Sequence, residues 1–162
     1  GYLFGEPMSA DAAGQALRRR YLRPELFTAT QSDRTLLLVD DEQNVLRSLV
    51  RLFRRDGYRI LAAGNVRDAF GLLATNQVQV ILSDQRMQEM DGTEFLGRVK
   101  MLYPDTIRLV LSGYTDLATV TDAINRGAIY RFLTKPWDDN KLREHIRQAF
   151  RTYEAQRVRE PE

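Results

Sequence analysis

The sequence contains no cysteine, and its 162 residues include a single histidine and a single tryptophan. Without cysteine there is no disulfide and no thiolate metal site. The one histidine, His145, falls on an expected helix and reads as a surface or boundary residue rather than a phosphodonor. Long apolar runs are missing too, for none approaches the roughly 18 residues of a membrane span. The opening stretch Gly1-Tyr2-Leu3-Phe4-Gly5 lacks the basic lead of a secretion signal, so the expected location is the cytoplasm. Net charge is only +2, too little to point to nucleic acid without a localised patch. The arginines of one expected helix, Arg47, Arg51, Arg54 and Arg55, read as a solvated face, and no helix-turn-helix follows the last expected strand. A dinucleotide enzyme is disfavoured because no G-x-G-x-x-G follows the first strand.

What is present is an ordinary globular mixture, 43% hydrophobic and 28% charged, long enough for one domain with an appendage. The most informative stretch is Val78 to Gly92. An apolar run, Val78, Val80, Ile81 and Leu82, drives into Ser83-Asp84, and a loop then reaches Met90-Asp91-Gly92. That pattern reads as a buried strand carrying a carboxylate to a sheet edge.

The rest of the chain alternates in the same way. Leu36–Val39 is an expected strand ending in Asp40-Asp41-Glu42, followed by a helix with Val45, Leu46, Leu49, Val50 and Phe53 at helical spacing and Gly57 as its stop. Tyr58–Ala62 is the second strand, and Asn65 caps a helix bearing Val66, Ala69, Phe70 and Leu73. After the Asp84 strand come a helix over Thr93–Leu102, a strand over Ile107–Leu111 ending in Ser112-Gly113, and a helix over Asp116–Asn125 ended by Gly127. Ile129–Leu133 is the fifth strand, ending in Thr134-Lys135-Pro136, and Asp139 caps a last helix with Leu142, Ile146, Ala149, Phe150 and Tyr153 as its stripe. Strands alternating with helices at short spacing predict an α/β fold, a doubly wound five-stranded parallel sheet in the flavodoxin-like order 2-1-3-4-5 with helices on both faces.

In such a sheet the strand ends of one sense share an edge. Asp40, Asp41, Asp84, Ser112 and Lys135 are therefore expected to converge. Each alone has an ordinary reading, as a helix cap, a turn or a loop. Together they place three acids, a hydroxyl and an ammonium side by side. Two carboxylates about 4 Å apart repel by about 4 kcal/mol at an effective dielectric near 20, so the trio needs a cation. Oxygen donors without His or Cys suit a hard ion, Mg²⁺ best of all. An acidic trio, a divalent ion, a lysine and a hydroxyl suit a phosphoryl group, with Asp84 as nucleophile.

Asp40-Asp41, Asp84, Ser112 and Lys135-Pro136 resemble, in order and spacing, the site of bacterial response-regulator receiver (CheY-like) domains, over about Thr35 to Tyr153. The resemblance implies that Asp84 is the phosphoacceptor and that Asp40, Asp41, Asp84 and the backbone carbonyl of Arg86 hold Mg²⁺. It implies that Ser112 is the switch hydroxyl, Lys135 the phosphate-binding lysine in a cis Lys-Pro bond, and Phe132 the switch aromatic. It also implies a histidine kinase or phosphotransfer protein as donor, a covalently linked output domain, and a homodimer through the fourth helix, fifth strand and fifth helix. The weak net charge and the short apolar runs leave no nucleic acid and no membrane among the expected partners. The phrases Asp84-Gln85-Arg86-Met87, Ser112-Gly113-Tyr114 and Tyr130 to Trp137 resemble a subgroup found beside cyclic-di-GMP and HD-type output domains. The chain departs from the family at Gln88, where many members have proline, and Arg86 is placed to lean over the acyl phosphate and alter its lifetime.

Residues 1–33 read as an extension with an interrupted helix after Ser9. Gly1-Tyr2-Leu3-Phe4-Gly5-Glu6-Pro7 resembles the closing phrase of EAL-type cyclic-di-GMP phosphodiesterase domains, without that domain's metal-binding acids. The expected division is therefore an extension over 1–33, a receiver domain over 34–155 and a tail over 156–162. The expected function is a phosphorylation-activated two-component signalling module, not an enzyme in its own right. The alternatives are a receiver-like interaction module that is never phosphorylated, and an aspartyl-phosphate phosphatase. Against the phosphatase stands Arg86, where such enzymes generally carry a second acid.

Overall fold

Residues 34–113 and 116–159 are described by the structure, a computed structural model. The expectation that residues 1–33 close a phosphodiesterase domain lies outside the described residues. Within them the chain alternates strictly: β1 (Thr35–Val39), α1 (Gln43–Arg54), β2 (Arg59–Ala63), α2 (Val66–Thr75), β3 (Val80–Asp84), α3 (Gly92–Leu102), β4 (Ile107–Ser112), α4 (Leu117–Asn125), β5 (Arg131–Thr134) and α5 (Asp139–Arg159). The sheet is parallel, in the order β2-β1-β3-β4-β5.

Side-chain alternation along the strands divides the core in two. Leu36, Leu38, Val80, Leu82, Leu109 and Leu111 face α1 and α5, meeting Leu49, Phe53, Ile146 and Phe150. Leu37, Val39, Ile81 and Val110 face α2, α3 and α4, meeting Ala69, Phe95, Val99 and Val120. β1 and β3 are buried on both faces, which is why both read as nearly continuous apolar runs. Gly57 and Gly127 take positive φ, 79° and 77°, and turn the chain after α1 and α4.

Several boundaries differ from expectation. β2 begins at Arg59, because Tyr58 turns into the first core half with its ring 4.7 Å from that of Phe150. β5 begins at Arg131, so Ile129 and Ala128 are buried in the lead-in loop. The cap of α5 is Asp138, not Asp139. Its Oδ1 accepts from Asn140 N at 2.8 Å and Lys141 N at 3.2 Å. Asp139 instead accepts from Trp137 Nε1 at 3.0 Å, which docks the indole against the first core half as a loop anchor. α5 continues to Arg159, so the expected boundary at residue 155 falls inside it. Among the described residues no helix is long and apolar enough to cross a membrane.

Candidate functional site

Three strands supply the carboxylates and the amine. β1 ends at Val39 and releases Asp40 and Asp41, β3 ends on Asp84, and Lys135 follows β5. The order β1-β3-β4-β5 sets these ends side by side. Lys135 Nζ lies 2.6 Å from Asp84 Oδ1 and 3.8 Å from Asp40 Oδ2. One carboxylate oxygen from each of Asp40, Asp41 and Asp84 lies within 4.8 Å of the others. The Lys135–Pro136 peptide is cis, and Lys135 N donates to Ser112 O at 3.0 Å, stitching the β5 end to the β4 end.

Burial governs the charges. Asp40 is 1% exposed and Asp84 5% exposed. Desolvation pushes the Asp40 carboxyl up to about 6, against the Glu42 amide that donates to it and with the help of the Asp84 charge. Asp84 is raised as well, chiefly by desolvation, and Lys135 restrains the rise. Burial pulls the Lys135 amine down, but its bond to Asp84 and the surrounding acids outweigh that, so it is held above its ordinary value and stays cationic. One lysine thus faces three acids.

Asp40 Oδ1 accepts from Glu42 N at 2.8 Å, whereas Oδ2, buried, has no hydrogen-bond partner. An orphaned buried carboxylate oxygen beside two more acids, in an oxygen-only donor set, fits a hard divalent cation. Asp41 Oδ2 is bound by Gln88 N at 3.2 Å, which ties the loop after β3 to the end of β1.

The other expected residues are placed as follows. Ser112 is buried and its hydroxyl donates to Gly113 O at 3.0 Å. Phe132 pairs with Val110 in register and packs, half-buried, on the second core half. The Arg86 guanidinium pairs with Asp116, with Nε 3.1 Å and Nη2 3.0 Å from Asp116 Oδ1. His145 Nδ1 accepts from Arg131 Nη1 at 2.7 Å, and burial together with the Arg131 charge lowers its pKa, so it is a neutral partner of β5. Arg47, Arg51, Arg54 and Arg55 are exposed, as a solvated face should be.

Sequence reasoning missed the residues that hold the phosphoacceptor loop. Buried Gln85 accepts from Thr93 N at 2.9 Å and donates to Thr93 Oγ1 at 3.2 Å, clamping the loop to α3. Glu89 Oε1 accepts from Val66 N at 3.2 Å at the start of α2. Gly92 N donates to Gln85 O at 2.8 Å, and a Cβ on Gly92 would sit 2.3 Å from Asp84 O. Only the glycine carried a signal in the sequence. Polar residues in a loop show no period from which their partners can be read.

The response regulator receiver domain family matches residues 36–147. The chain belongs to that family. Two solved structures show the same receiver architecture at substantial identity. A protein from Neptuniibacter caesariensis is 40% identical with a TM-score of 0.77, over 82% of this chain and 100% of that one. The signal receiver domain of an HD domain-containing protein from Pseudomonas fluorescens is 36% identical with a TM-score of 0.76, over 83% of this chain and 98% of that one. Among curated proteins, the hydrogenase transcriptional regulatory protein HoxA of Bradyrhizobium diazoefficiens is 39% identical over 126 residues, 78% of this chain and 26% of HoxA. The regulatory protein AtoC of Escherichia coli is 33% identical over 114 residues, 70% of this chain and 24% of AtoC. The receiver chain thus spans about a quarter of the length of these curated relatives.

Proposed function

We propose that this receiver domain accepts a phosphoryl group on Asp84 and relays the event to a partner surface. The observation that carries the reading is the 2.6 Å approach of Lys135 Nζ to Asp84 Oδ1 beside the orphaned Asp40 oxygen. A carboxylate oxygen of Asp84 attacks the donor phosphorus. The new P–O bond forms as the donor's P–N or acyl P–O bond breaks, and the leaving group departs with its electron pair. Lys135 neutralises charge building on the phosphoryl oxygens. Asp40, Asp41, Asp84 and the Arg86 carbonyl would hold Mg²⁺, which supplies further charge neutralisation. Phosphorylation adds about −1.5 to −2 charge at Asp84. Ser112 turns its hydroxyl from Gly113 O toward that charge, and Phe132 moves into the space released. The surface of α4, β5 and α5 changes with it and serves a homodimer or an output domain.

In this reading the module is not an enzyme beyond its own phosphorylation and dephosphorylation. It acts in the cytoplasm, its donor is a histidine kinase or phosphotransfer protein, and nucleic acid is not its ligand. The wider protein is a cyclic-di-GMP-related regulator. Support comes from the Gly1 to Pro7 phrase and from the likeness to a receiver domain of an HD domain-containing protein. The likeness to HoxA favours a second output, transcriptional control. The full-length gene product decides between them: an EAL domain upstream supports the first, and a DNA-binding domain downstream the second.

Incubation with acetyl phosphate and Mg²⁺, followed by intact mass spectrometry, tests the site. One phosphoryl group is expected on the wild type and none on Asp84→Asn. Absence of any gain, with no beryllofluoride binding, would leave an unphosphorylated interaction module instead.

A further inference from the structure

Where α1 ends beside α5, the surface opens into a cleft of about 640 Å³ lined by arginine. Arg55, directly after α1, lines one side, and Arg147 and Arg151 of α5 line the other, with Arg34 just before β1 between them. Of the exposed arginines Arg47, Arg51, Arg54 and Arg55, only Arg55 lines the cleft. Arg34 precedes β1 whereas Asp40 follows it, so the cleft lies a strand's length from the acidic site. Most of the charges here are already matched. Arg34 forks onto Glu154 at 2.9 and 3.0 Å, and its guanidinium rests 5.6 Å from the centre of the Phe150 ring. Arg147 pairs with Glu144. Asp56, the one acid lining the cleft, has its oxygens held by Arg143 at 3.1 and 2.7 Å. Arg55 and Arg151 are exposed and have no acid partner among the described residues. The C-terminal dipole of α1 accounts for a cation at Arg55, but not for Arg151 on the facing helix.

We infer that this cleft binds a small ligand carrying two linked phosphates, one held by Arg55 on the α1 side and the other by Arg151 on the α5 side. A guanidinium presents paired N–H donors that match phosphate oxygens, and it keeps its charge at any working pH. Two unmatched guanidiniums on separate elements suit an anion charged at both ends. A guanidinium has five N–H donors, so Arg34 and Arg147 keep donors beyond those used in their pairs. The volume of the cleft falls among small-molecule pockets, roughly 300–1,000 Å³, and exceeds what one phosphate fills. Tyr58 is the only aromatic side chain lining it, and that residue is buried with its ring 4.7 Å from that of Phe150. No open aromatic face is left to stack a base, so the phosphates are what the cleft recognises. No group of the acidic site takes part, and the inference stands or falls apart from the phosphoacceptor reading.

Titration of the full chain with inorganic pyrophosphate in metal-free buffer, followed by NMR at the amides of Arg55, Gly57 and Arg151, tests the assignment. Saturable shifts are expected at all three. Inorganic phosphate, which reaches only one side, should bind about tenfold more weakly. Arg55→Gln and Arg151→Gln should each weaken pyrophosphate about tenfold, the effect of losing one charge-assisted contact. Arg47→Gln, on the same helix but outside the cleft, should leave the affinity unchanged. Absence of a saturable shift overturns the inference, as does equal affinity for phosphate and pyrophosphate. An Arg47→Gln variant that binds as weakly as Arg55→Gln also overturns it, since that marks diffuse attraction to a basic surface. Shifts centred on Asp84 and Lys135 would put the anion at the other site and overturn it too. A hexaglutamate peptide that binds more tightly than pyrophosphate overturns the small-ligand assignment and makes the cleft a docking site for an acidic protein segment.

Discussion

At Asp40 two demands conflict. The residue is almost wholly buried, yet it faces Asp84 and Asp41 with one lysine shared among them. Its carboxyl is pushed from 3.8 to about 6, first by desolvation. An acid whose folded pKa lies above its unfolded value binds more protons when folded, so stability falls as pH rises through that window and stays lowered above it. Asp84 is shifted the same way. Asp40→Asn is therefore expected to raise Tm in metal-free buffer at pH 7, to give no such gain near pH 4, and to abolish the rise in Tm that Mg²⁺ produces in the wild type. Calorimetry with and without chelator checks all three. Gly92 is constrained by space rather than charge. A methyl group there meets the Asp84 carbonyl at 2.3 Å and the Gln85 Cα at 3.0 Å, both backbone atoms that cannot step aside. Gly92→Ala should cost about 1–3 kcal/mol in urea unfolding and reduce phosphoryl uptake, since the loop must move with Asp84.

Among the elements, α5 shows how a local rule is met one residue away from where it was expected. Asp138 and Asp139 are equally plausible caps by composition. The structure chooses Asp138, because Trp137 is pulled inward and takes the Asp139 carboxylate as its acceptor. Asp138→Ala should lower the urea midpoint by the equivalent of about 1 kcal/mol with an unchanged slope, and Asp139→Ala should cost less. α2 behaves as its sequence suggests, with Asn65 Oδ1 accepting from Asp68 N at 2.8 Å. Its start is also held by Glu89 from the phosphoacceptor loop, a tie between elements that no local pattern announces.

Across the molecule, α5 crosses the back of the sheet and closes it. Arg34, just before β1, forms a two-pronged pair with Glu154 at 2.9 and 3.0 Å, joining positions 120 residues apart. Phe150 lies beneath, fully buried against Tyr58, with the Arg34 guanidinium 5.6 Å from its ring centre. None of these groups belongs to the acidic site. Phe150→Ala should therefore cost about 3–5 kcal/mol of stability. Below its lowered Tm it should take up a phosphoryl group as the wild type does, measured by mass spectrometry. A variant that stays folded but loses uptake would show that the site depends on the back face of the sheet.

By itself the sequence determined the number and order of the elements, the parallel sheet and the identity of the clustered acids. Its apolar periods are set by which faces are buried, and each buried strand ends abruptly where a charge begins. Topology alone then brings Asp40, Asp41, Asp84 and Lys135 to one edge. Only the tertiary structure decided where the side chains point once they arrive there. It gave Arg86 to Asp116, turned the Ser112 hydroxyl onto Gly113, set Trp137 inward and left one oxygen of Asp40 without a hydrogen-bond partner. Those outcomes rest on distances between residues far apart in the chain and on competition among acceptors of similar strength, and neither leaves a repeat in the order of the amino acids.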